Sequence, residues 1–215
     1  MTHIFPETDI ASTANVAESA IIGKPYRPLL GGAACPDFGA TYIRSGASVG
    51  EYTIVGKGCE IGEDSILDDF SRVEAGVRIG RRCLVLYGAQ ICASSVIGSD
   101  CIVGGFVGER TTVGNHCRLF GQIVHKQDDP SLGWDEDSSE ELAAQIEEFC
   151  FVGFRALLIG HVRVGPYAYV VAGATVTKDV PQGTVVTEHN VHTPIEQWKG
   201  RLKESPFFRA RPGHS

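Results

Sequence analysis

Residues 49–67 read VGEYTIVGKGCEIGEDSIL, and the spacing within this stretch decides the fold. Val49, Val55, Ile61 and Leu67 recur every six residues. Thr53, Cys59 and Ser65 occupy a second register, four residues after each aliphatic, where the side chain is small. Gly50, Gly56 and Gly62 follow the aliphatics directly. A strand alternates with period two and a helix with period 3.6, so neither gives period six with a fixed small slot.

Working outward, the same register extends through Val73, Ile79, Val85, Ile91, Ile97 and Val103, and back to Ile43. An earlier run reads Ile4, Ile10, Val16 and Ile22. The phase slips by four to Val107, Val113 and Leu119, then returns after an interruption at Val152, Leu158, Val164, Val170 and Val176. The small slots follow throughout, from Ala47 through Cys83 and Cys101 to Ala168 and Ala174.

Such a repeat predicts a coil of triangular cross-section, in which each hexapeptide supplies one short strand and one corner. The aliphatic points inward, and glycine eases the tight backbone path. Three units make a coil of about eighteen residues, and coils stack through parallel hydrogen bonds roughly 4.8 Å apart. Cys83 and Cys101, eighteen residues apart, should therefore stack on adjacent coils.

Composition sets the outer bounds. The chain has 215 residues, 43% hydrophobic and 21% charged, as expected of one globular unit. No run is long enough to span a membrane, and the N-terminus lacks a basic segment followed by an apolar one, so the expected location is cytoplasmic. The seven cysteines include no C-x-x-C pair, and most of them, as small packing residues, fit the repeat better than a metal site or a disulfide framework. The net charge of −7 is concentrated: nine acids and no Lys or Arg lie between Gln127 and Phe149, and the remainder is about +2. No basic patch interleaved with aromatics is present, which argues against nucleic acid as a partner.

Two stretches break the repeat, at residues 23–42 and 125–150, and insertions are where a solenoid gains function. The first is rich in Pro and Gly and reads as a projecting loop. The second leaves the coil at Ile123-Val124-His125 and returns at Cys150-Phe151-Val152. It carries Asp128, Asp129, Trp134 and Asp135, with a short helix predicted from the Ser138 and Glu141 capping pair. The β-helix domain is thus expected over 1–186. A C-terminal helix and basic tail follow over 187–215, with Thr193 as N-cap and Pro194 at the first helical position.

The [LIV]-G-x-x-[small]-x repeat resembles that of the hexapeptide-repeat acyltransferases, over most of residues 4–124 and 151–186. The resemblance implies an all-β, left-handed parallel β-helix, against the usual crossover hand, assembled as a homotrimer with active sites between subunits. It implies an acyl-CoA, in the first place acetyl-CoA, as co-substrate, a small-molecule acceptor, and no metal.

A histidine where the coil ends before a long excursion resembles the family's general base, which makes His125 the expected catalytic residue. Imidazole suits that task because it offers a lone pair near neutral pH. The family pattern also implies a backbone amide at Gly160 as an oxyanion donor. The segment from Ala172 to Pro181, ending in V-T-K-D-V-P, resembles the pantetheine-lining turn and implies donor contacts at Ala172, Gly173, Ala174 and Lys178. Asp128, Trp134 and His161 are acceptor-site candidates. His161 stands where relatives commonly have glycine, and residues 185–192 depart from the usual V-x-G-x-P-A turn.

Two other readings compete. A γ-class carbonic anhydrase would need three zinc-binding histidines on the coil, and His116, His125 and His161 lack the H-x-x-x-x-H pair that it uses. A non-catalytic assembly subunit would need no base before the insertion.

Overall fold

A computed structural model describes residues 2–26, 36–126, 143–194 and 197. The chain winds through short strands, most of them two or three residues long, that fall into three parallel sheets. We call these faces A, B and C, in the order in which the chain visits them on each turn. Among the described residues, face A holds nine strands, from His3–Ile4 to Thr175–Val176. Face B holds eight, from Thr8–Ile10 to Arg163–Val164, and face C ten, from Asn15–Val16 to His192–Pro194. The fold is the three-faced parallel β-helix that the repeat predicted.

The hexapeptide register and the core coincide. From Ile43 to Val103 every aliphatic of the ladder is at most 2% exposed, and so is every small-slot residue from Ala47 to Cys101. Thiols and hydroxyls at the small slots also tie coil to coil. Cys83 Sγ donates to Gly98 O at 3.0 Å, Cys101 Sγ to Gly114 O at 3.2 Å and Ser65 Oγ to Gly80 O at 2.8 Å. Cys83 and Cys101 flank the paired strands Leu84–Val85 and Ile102–Val103, one coil apart as the spacing predicted. In the first described strand Ile4 is 53% exposed.

Corners are made by residues in the left-handed region. Edge B–C places Asp64, Arg82, Asp100, His116, Phe149 and Tyr167 there on successive coils, at φ between 52° and 61°. Two corners on edge C–A are shorter, where the ladder steps by four from Val103 to Val107 and from Leu119 to Ile123. They are built on Gly104-Gly105 and Phe120-Gly121, and a Cβ on Gly105 would lie 1.8 Å from Gly121 O.

Three expectations need correction. The ladder does not stop at Leu119 or wait for Val152: Ile123 and Ile146 are both buried, and Gln145–Ile146 pairs with Thr112–Val113 and Arg163–Val164. Residues 143–150 therefore belong to the coil rather than to the 125–150 insertion. A ladder place on face B would otherwise be empty. The first insertion is likewise narrower than 23–42, since strands Ile21–Lys24 and Thr41–Ile43 enclose it.

The C-terminal helix does not begin at Thr193 either. His192–Pro194 is a strand, antiparallel to Thr184–Val186, and it covers the end of face C, where Val185 and Val186 are fully buried. Covering that end outweighs the local capping signal, and proline is tolerated because this is an edge strand. The rest of the expected helix, and the one expected at Ser138, lie outside the described residues. Among the described residues no helix is long and apolar enough to cross a membrane.

Candidate functional site

Both insertions leave the solenoid from the same edge, A–B, since each follows a face-A strand and precedes a face-B strand. His125 stands on that edge, immediately after Gln122–Val124. This strand carries one more pair than most, Val124 with Ile159, and Gly160 N donates to Val124 O at 2.8 Å. The added pair brings regular backbone right up to His125.

The imidazole is partly buried, and its Nε2 lies 3.0 Å from the carbonyl oxygen of Glu109, one coil earlier. A carbonyl can only accept, so this bond puts the proton on Nε2 and leaves Nδ1 as the basic nitrogen of the neutral ring. The ring edge lies over Gly108, where a Cβ would come within 3.4 Å of His125 Cδ2. Gly108 and the Glu109 carbonyl both escaped the sequence reading. Gly108 looks like any other glycine of the repeat, and a backbone carbonyl leaves no mark in a sequence. The two shortened corners lie in the coils that carry Gly108–Arg110 and His125.

Edge A–B continues past His125 with Lys126, Gly160, His161 and Lys178. A Cβ on Gly160 would meet Lys126 Cβ at 3.2 Å, and His161 and Lys178 are exposed. The Gly160 amide is already spent on Val124 O, which removes it as an oxyanion donor. The next amide, His161, has no backbone partner among the described residues.

The expected donor turn lies elsewhere. Ala172 and Gly173 form a corner on edge C–A, with face A between them and His125. Gly173 N donates to Phe154 O at 2.9 Å and Ala174 N to Val171 O at 3.1 Å, while the Ala174 side chain is a buried ladder residue. These two amides are engaged within the chain, leaving exposed Ala172 and, on the other edge, Lys178. One chain thus keeps the base and the donor turn apart. Asp128 and Trp134 lie outside the described residues.

The three coil histidines do not share one edge. His116 sits on edge B–C, stacked on Phe149 at 4.6 Å, whereas His125 and His161 are on edge A–B. Among the described residues no three His, Cys, Asp or Glu side chains converge.

The period-six ladder wound as three parallel sheets decides the class. The chain is a parallel β-helix built on a hexapeptide repeat. It is 26% identical over 208 residues to the bifunctional protein GlmU of Pelobacter propionicus, matching 82% of this chain and 45% of that protein. It is 27% identical over 176 residues to the bifunctional protein GlmU of Nitrosospira multiformis, with coverages of 77% and 38%. The hexapeptide-repeat chain thus spans less than half the length of these relatives. Among solved structures it is similar to the polysialic acid O-acetyltransferase OatWY, with 10% identity, 95% of each chain covered and a TM-score of 0.47. No family profile matches the chain.

Proposed function

We propose that this protein is an acyltransferase that moves an acyl group, acetyl in the first place, from coenzyme A to an amine or hydroxyl of a small acceptor. The observation that carries this reading is His125. It is a histidine at the mouth of the long insertion, held over a glycine, whose tautomer is set by a neighbouring carbonyl. A base needs its lone pair oriented before the acceptor arrives, and that bond supplies the orientation.

In the proposed reaction Nδ1 of His125 takes the proton from the acceptor as its nitrogen or oxygen attacks the thioester carbonyl. The C–S bond then breaks, and the imidazolium returns a proton to the departing thiolate. The thioester is already activated, so no acyl-enzyme is required. The His161 amide replaces Gly160 as the candidate donor to the oxyanion. Ala172 and Lys178 remain the candidates for holding the donor.

Separation of the base from the donor turn supports a homotrimer in which edge A–B of one chain meets edge C–A of the next. Release of free coenzyme A thiol from acetyl-CoA, followed across a panel of amino and hydroxyl acceptors, tests the reading. Acceptor-dependent release is expected. No release with any acceptor, in a protein that binds coenzyme A, would favour the assembly-subunit reading.

A further inference from the structure

Strand Ile21–Lys24 leads into the first insertion, and its pairing with Ile54–Gly56 is interrupted by a bulge between Ile22 and Lys24. Gly23 takes a φ of 76° there. A bulge re-aims the side chain beside it, and Lys24 lines a cleft together with Tyr26, Ile54, Arg72, Val73 and Glu74. The cleft holds about 450 Å³ of empty space and opens to solvent. One wall is braced. Tyr26 packs on Phe38 at 5.4 Å, and Phe38 sits against Gly58 and Gly76, where a Cβ would come within 2.5 Å of it. Lys57 holds the same stretch of chain through ion pairs with Asp37 at 3.5 Å and Glu7 at 3.0 Å.

The charges in the cleft do not cancel. Arg72 Nε donates to Glu74 Oε1 at 3.1 Å, and the Arg72 Nη groups have no hydrogen bond to a described residue. Lys24 is half-buried and has no ion pair among the described residues. Two cations therefore share one carboxylate. An ammonium taken partly out of water is costly until an anion joins it, and charge-assisted bonds to phosphate or carboxylate are the strong ones. The strand of Arg72 pairs upward, step by step, with those of Gln90, Phe106 and Gln122. Three steps put the cleft roughly 14 Å along the prism from His125. Between them edge A–B is floored by Cys92, Ala93 and Gly108, all buried, with Glu109 alongside.

We propose that this cleft holds an anionic group, phosphate or carboxylate, at the far end of an elongated acceptor whose amine or hydroxyl lies at His125. The proposal rests on the acyl-transfer reading and narrows it. The acceptor is a molecule with a negative charge about 14 Å from its nucleophile, lying along edge A–B over the small residues of its floor.

The test is calorimetric titration of the full-length protein, without acetyl-CoA, by an ω-aminoalkyl phosphate about 14 Å long, its carboxylate counterpart and the neutral alkylamine. Both anions should bind, the tighter one naming the preferred group, and the neutral amine should bind at least about ten-fold more weakly. Lys24→Met and Arg72→Met should each weaken binding of the anions by roughly ten-fold or more, the usual worth of a charge-assisted bond. Glu74→Gln should tighten it, because Arg72 then loses its competing carboxylate. All three side chains stand on the outside of the coil, so the far-ultraviolet circular dichroism should not change. No binding of either anion, equal binding of the neutral amine, or parent-like affinity in both Lys24→Met and Arg72→Met would overturn the proposal. Anion binding that both variants lose, with no thiol released when acetyl-CoA is added to the bound amine, would uphold the anion site and overturn the acyl-transfer reading instead.

Discussion

The imidazole of His125 is bonded to the Glu109 carbonyl at 3.0 Å and packs over Gly108, where a Cβ would come within 3.4 Å of it. The histidine was legible because it stands at a break in a regular register; its tautomer was not, because backbone geometry sets it. The cysteines make the opposite case, since their slot in the repeat already described them. Burial pushes the Cys59 thiol up to about 12, and burial followed by Glu74 and Glu109 does the same for Cys92. A thiol reacts as its thiolate, so both should remain almost wholly protonated and inert at neutral pH. A disulfide reagent applied to the native protein should therefore modify neither, and both should react after denaturation. Rapid native labelling of Cys59 would contradict the packing of its slot.

At the scale of elements, strand positions followed directly from the ladder, and boundaries failed where something other than period acted. Ile123 and Ile146 were missed because a shortened corner and an insertion shifted the phase around them. Thr193 and Pro194 were misread because closing the end of face C outweighs a helix cap. The short corner makes its own prediction. Gly105→Ala forces a Cβ into Gly121 O and should destabilise by roughly 1–3 kcal/mol, as overpacking does. Gly88→Ala, with nothing within 4 Å, carries only the cost of its left-handed φ of 67°. Thermal melts should rank Gly105→Ala clearly below Gly88→Ala, and equal melting temperatures would contradict the corner geometry. The second insertion offers another contrast. Replacing residues 127–142 by a Gly/Ser linker spares Ala144 and Ile146 and should leave a folded coil, since surface loops cost little to exchange. Turnover should fall if the insertion shapes the acceptor site. Extending the replacement through Phe149 removes ladder residues and should cost the fold as well.

For the whole molecule, the three faces divide the work. Edge A–B gathers His125, His161, Lys178 and both insertions. Ala172 stands on edge C–A, beyond face A. On the proposed function a second chain completes the site, so sedimentation should give a three-chain species that retains activity. A fully active monomer would contradict the shared site. The global architecture was the most legible level of all, because a period-six ladder has few ways to close. Which face meets which neighbour was not legible, because it depends on outward residues that the repeat does not constrain. The central claim, that His125 is the base, is tested most directly by comparing turnover with coenzyme A binding in His125→Ala. The account predicts turnover lowered by roughly 10²–10⁴-fold with coenzyme A affinity nearly unchanged, and loss of the acid limb of the pH profile. A folded His125→Ala protein with near-normal turnover would contradict it.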